Sequence, residues 1–137
     1  MIKLGLFDDF KGDRTLLVWG DHPSMGDLRT ALQALADAGH GRLLLTGLPG
    51  AVTRGELQVT LTIVGSGRAQ ILESATQDGR QVDIQCSPEQ AADFADLVGA
   101  LVRDPNRPAH QYIEVSAQQT IQVIVSMDEY PRTMGDD

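Results

Sequence analysis

Between Leu57 and Ile63 every second residue is apolar: Leu57, Val59, Leu61 and Ile63 alternate with Gln58, Thr60 and Thr62. A period of two sends successive side chains to opposite faces, so this run specifies a strand with one face buried and one wet. The same alternation returns at Val82, Ile84 and Cys86, set between Gln81, Asp83 and Gln85. With the apolar run Ala69–Ala75 between them, a glycine turn at Gly65–Gly67 and Asp78–Gly79 further on, the spacing predicts three strands joined as an antiparallel meander. Further strands are expected at Ile2–Phe7, Thr15–Trp19 and Arg42–Thr46, the first two as a hairpin.

Two helices interrupt this pattern. Ser24 with Asp27 three residues on suggests a capping box, followed by Met25, Leu28, Leu32 and Leu35 at helical spacing and a stop at Gly39. His22, ahead of Pro23, is expected to orient the start of this helix. The second start is clearer: Ser87 as cap, Pro88 at the first helical position and Gln90 where a capping box closes. Ala91, Phe94, Ala95, Val98, Leu101 and Val102 then form the buried stripe, and prolines after Arg103 end it. The chain closes on segments His110–Val115 and Thr120–Met127, with Ile113, Val115, Ile121, Val123 and Val125 facing one way and Tyr112, Glu114, Gln122 and Ser126 the other.

The order is therefore β-β-α-β-β-β-β-α-β-β, an α+β domain with a mostly antiparallel sheet and two helices. No internal repeat is visible; one domain is expected over 1–131, with a short polar tail over 132–137.

Composition narrows the function. Nineteen acidic residues against eleven basic give a net charge of −8. That field disfavours nucleic acid and anionic membranes and favours a basic protein partner. A single cysteine rules out an internal disulfide and any cysteine-rich zinc site. No charged-then-apolar leader and no run of about 20 apolar residues appear, so the expected location is cytoplasmic.

Catalytic motifs are lacking. The glycine turn at Gly65–Gly67 has no following helix N-terminus and no Lys-Ser or Lys-Thr pair, so it is not a phosphate loop. His22, His40 and His110 lack ligand spacing, and Cys86 alternates with core residues. No cofactor, metal or enzymatic activity is expected. Recognition is the better use of the acidic groups: Asp8, Asp9 and Asp13 in the first turn, the Asp21–Asp27 stretch, and Glu89, Asp93 and Asp96 along one helical face.

The chain ends carry a family likeness. "GLFDDFKGDRTLLVWGD" (Gly5–Asp21), "HQYIEV" (His110–Val115) and "IVSMDEYP" (Ile124–Pro131) resemble the small immunity proteins of bacterial polymorphic or contact-delivered toxin systems. The resemblance implies a cytoplasmic non-enzyme that binds a cognate toxin domain and occludes its active site or locks its motion. An acidic inhibitor suits a toxin with a basic cleft. From charge and aromatic content, the expected partner-binding residues are Asp8, Asp9, Asp13, Glu89, Asp93, Asp96, Tyr112, Glu114, Glu129 and Tyr130. The alternative is a structural module, a homo-oligomer formed through an edge strand, with the last strand as the candidate.

Overall fold

The computed structural model describes residues 1–10, 12–65, 69–104, 106–116 and 119–128. Within them the chain forms β1 (Ile2–Phe10), β2 (Asp13–Gly20), α1 (His22–Ala38), β3 (Arg42–Leu44), β4 (Val52–Thr53) and β5 (Leu57–Ile63). It continues through β6 (Gln70–Thr76), β7 (Gly79–Cys86), α2 (Pro88–Val102), β8 (Ala109–Ile113) and β9 (Gln122–Met127). The α+β class and the element order agree with the sequence reading. The short β4 is an addition, formed inside what reads as a loop.

The strands build two sheets rather than one. The first has the order β4-β1-β2-β9-β8 and the second β3-β5-β7-β6. Pairing is antiparallel for β1 with β2, β3 with β5, β6 with β7 and β8 with β9. It is parallel for β1 with β4, β2 with β9, and β5 with β7.

The meander is therefore corrected. β5 and β6 are not neighbours, so the glycines at 65–67 do not close a hairpin, and Ser66 and Gly67 themselves lie outside the described residues. Burial explains the order. β7 directs Val82, Ile84 and Cys86 fully into the core, whereas β6 exposes Leu72, Ser74, Ala75 and Thr76. The strand with the more continuous buried face takes the inner position, and the wetter strand takes the edge. The last strand is likewise interior, flanked by β2 and β8, so it cannot serve as an edge for self-association.

The topology contains a repeat that residue identity hides. β2 begins at Asp13 and ends at Gly20; β7 begins at Gly79 and ends at Cys86, 66 residues later at each end. At that offset the buried positions coincide: Leu16 with Val82, Val18 with Ile84, Leu28 with Phe94, Leu32 with Val98, and Leu35 with Leu101. Each half runs β-β-α-β-β, the first with β4 inserted. The halves exchange their second strand pairs, so β3 and β5 join the sheet of β6 and β7, while β8 and β9 join that of β1 and β2.

The two helices pack on each other, share one apolar core with both sheets and run antiparallel. The ring of His22 at the start of α1 hydrogen bonds the Val102 carbonyl at the end of α2, at 2.9 Å. One apolar cluster unites both helices with the inner faces of both sheets. A second, smaller cluster of Leu17, Trp19 and Ile124, with Phe7 and Phe10, occupies the outer face of the first sheet. That sheet is buried on both sides at its centre, which single-face alternation did not anticipate. The outer face of the second sheet is polar: the Asp83 carboxylate accepts from Thr60 and Thr62 at 2.8 and 2.9 Å and from Gln85 at 3.0 Å.

Both helix starts are capped by side chains. Ser87 and Gln90 form the expected reciprocal box on α2. On α1 the cap is Asp21, not Ser24: Asp21 accepts from the Ser24 amide at 3.0 Å, and Ser24 lies one turn inside the helix. With Pro23 in the first turn, the three-residue reach back from Ser24 falls on Asp21. Gly39, at φ 74°, ends α1 in the left-handed region. The Ser24 hydrogen bonds, with the nearby N-terminal ammonium, hold the Asp21 carboxyl down at about 2. This stabilisation is complete above the unfolded value near 3.8 and is lost as pH falls through about 2. Asp21→Ala is expected to cost about 1 kcal/mol, discounted for the cap's exposure, and to flatten the stability profile in that window. Urea titrations of both proteins at neutral pH and at pH 2 check this.

No helix among the described residues is long and apolar enough to cross a membrane.

Candidate protein-binding surface

The β1–β2 hairpin, the start of β9 and the end of β8 meet at one end of the first sheet. Here the β1–β2 register slips: Phe7 pairs with Thr15 and Phe10 with Asp13, leaving Asp8 and Asp9 opposite Arg14 alone. This is a β-bulge, which bends the strand and re-aims its side chains. Both bulge aspartates are exposed.

Beside this hairpin lies a groove of about 290 Å³ lined by Asp13, Tyr112, Glu114, Gln119, Thr120 and Gln122 together with Ile113, Ile121 and Val123. Tyr112 is 48% exposed, its ring meeting that of His110 edge-on with centroids 5.4 Å apart. Ile113, Ile121 and Val123 are buried beneath, so the exposed groups sit on strands locked from below.

Gln119 shapes the wall. Its side-chain oxygen accepts from the amides of Val115 and Ser116 at 2.7 and 3.0 Å, while its nitrogen donates to the carbonyl of Ile121 at 2.9 Å. From the helix side, Gln90 donates to the Val115 carbonyl at 3.2 Å. The Thr15 hydroxyl donates to Asp13's carbonyl at 3.0 Å and lies 3.2 Å from the side-chain amide of Gln122, fixing the opposite wall. Gln119, Gln122 and Thr15 were not among the expected binding residues; amides and hydroxyls carry no motif until their partners are known.

The ten expected binding residues thus divide. Asp13, Tyr112 and Glu114 share the groove. Asp9 stands exposed on the adjoining bulge, and Asp8 pairs with Arg14. Glu89, Asp93 and Asp96 lie on the exposed face of α2, whose first turn reaches the groove's loop through Gln90. Glu129 and Tyr130 lie outside the described residues, as does the 132–137 tail. Asp21 is occupied as a helix cap.

A charged bridge missed by sequence reading closes the gap between the sheets. Arg14 on β2 forms a two-pronged ion pair with Glu73 on β6 and also holds Asp8, while Arg80 donates to Glu73 at 2.9 Å. Arg14 holds the Glu73 carboxyl below its usual range, and Glu73 in turn raises Arg14. Its members are far apart in sequence and belong to different halves.

The thiol and imidazoles are dispersed. Cys86 is fully buried, and desolvation, with a smaller effect from Asp83, pushes it up to about 11. At neutral pH it remains a thiol, a form unsuited to nucleophilic attack. Among the described residues no three His, Cys, Asp or Glu side chains converge to hold a metal ion. No protein-family model, curated protein or solved structure matches this chain.

Proposed function

We propose that this protein is an immunity-type inhibitor, a non-enzyme that binds a basic toxin domain and blocks its active site. The observation that carries the reading is the groove in which the Asp13 and Glu114 carboxylates stand with the exposed ring of Tyr112. An aromatic anchor between acidic groups is suited to arginine and lysine side chains, which stack on a ring while their charge is neutralised. The strands beneath are fixed by core packing, so little ordering cost accompanies binding. A chain of net charge −8 adds long-range attraction for a positively charged cleft. The likeness of both chain ends to immunity proteins supports the same reading.

The test is calorimetric binding to the product of the gene immediately upstream, with an assay of that protein's toxicity. A one-to-one complex that abolishes toxicity and weakens with added salt is expected. Asp13→Lys combined with Glu114→Lys is expected to weaken it by about tenfold or more, chiefly through slower association. Binding indifferent to these substitutions removes the groove from the interface; absence of a complex removes the inhibitor reading for that partner.

A further inference from the structure

The two halves of the repeat differ at their outer edges. In the first half, β1 is covered by β4, with Lys3 opposite Val52 and Leu4 opposite Thr53, and the Asp8–Asp9 bulge breaks its far end. β6 holds the corresponding place in the second half. It runs Gln70–Thr76 in unbroken register with β7, without proline, lysine or bulge, and no described residue pairs with its open side. Proline, lysine and bulges are devices by which monomeric proteins blunt an exposed strand; the one charge β6 carries, Glu73, is engaged by Arg14 and Arg80.

The register shows which groups are open. The Arg80 amide donates to the Glu56 carbonyl at 2.9 Å, on the side away from β6. Its antiparallel partner Ala75 therefore turns its own N–H and C=O outward, and by alternation so do Glu73 and Ile71. On the face away from the core, Leu72 is 46% exposed.

We propose that β6 pairs antiparallel with β6 of a second copy of this chain, about a two-fold axis at Glu73, fusing two four-stranded sheets into one. This register sets Glu73 against its counterpart and Ile71 against Ala75, closing about six backbone hydrogen bonds. Leu72 then lies opposite Ser74 and diagonal to Leu72 of the second copy, where side chains still reach one another. The two glutamates do not repel strongly, because each is part of a group in which Arg14 and Arg80 balance Glu73 and Asp8. This surface does not include the acidic groove, and the inhibitor reading neither requires nor forbids it.

Sedimentation of the full chain from roughly 1 µM to 1 mM tests it, alongside Ala75→Pro and Leu72→Lys. Ala75 points its N–H to the open edge, so proline removes no internal hydrogen bond. The expected result is a dimer for the wild type, a monomer of unchanged far-UV dichroism for Ala75→Pro, and dimerisation at least about tenfold weaker for Leu72→Lys. Amide exchange at Ile71, Glu73 and Ala75 is expected to slow as concentration rises. A wild type that stays monomeric throughout overturns the proposal, as does a dimer unaffected by Leu72→Lys, which also decides the matter if the proline variant fails to fold.

Discussion

Phe94→Ala is expected to lower the unfolding free energy by about 4 kcal/mol, a large share of what a domain of this size possesses. Phe94 is buried on the inner face of α2, in the space shared by both helices and both sheets. That space already contains an apolar cavity of about 40 Å³, walled by Leu28 and Leu32 of α1, Val98 of α2, Leu61 and Ile84 of the second sheet, and Val123 and Val125 of the first. The walls belong to two helices and two sheets, each held by its own backbone hydrogen bonds, so they do not close on a void. Removing the ring enlarges that void, and the energetic cost rises with residual volume. Urea unfolding should show a lower midpoint at unchanged slope. Leu28→Ala, at the equivalent position of the first half, is expected to cost about 3 kcal/mol. A loss below about 1.5 kcal/mol for Phe94 would mean that the helices slide to fill the space.

What the sequence disclosed follows the range of the underlying interactions. α2 was fully legible because Ser87, Pro88 and Gln90 act within one turn. α1 was legible in its stripe but not its cap, since "DHPSMGD" offers two capping side chains and the position of Pro23 selects the earlier. Strand existence was local and readable; strand partnership was not. The turns at 65–67 and 78–79 look alike in composition, yet only the second closes a hairpin, because the order in the sheet is set by how β5, β6 and β7 compete for burial. The repeat escaped for a related reason. Core positions preserve apolar character and not identity, so Leu28 and Phe94 or Val18 and Ile84 match in place alone. For the candidate surface, residue type pointed to Asp13, Tyr112 and Glu114, but their convergence depends on the parallel pairing of β2 with β9, a contact no local signal encodes.

The charged bridge between the sheets should be the most damaging polar site to disturb. Glu73→Gln keeps the shape of the side chain and removes its charge, leaving Arg14 with only the exposed Asp8. The side chains of Arg14 and Glu73 are 27% and 20% exposed, sheltered enough for a charge-assisted pair to matter and wet enough to spare the full desolvation penalty. A loss of about 2 kcal/mol is expected, the scale of hydrogen bonds to charged groups. The pH profile separates this from a packing effect. Because Glu73 is held below its unfolded value near 4.5, its contribution is complete above that pH and disappears as acid protonates the native carboxyl. The wild type should therefore lose stability on acidification more steeply than Glu73→Gln, and the two curves should converge at low pH. Parallel curves would show that the titrating charge of Glu73 contributes nothing to stability. In a double-mutant cycle with Arg14→Ala, a coupling near zero would show that the sheets are joined by their shared apolar core alone.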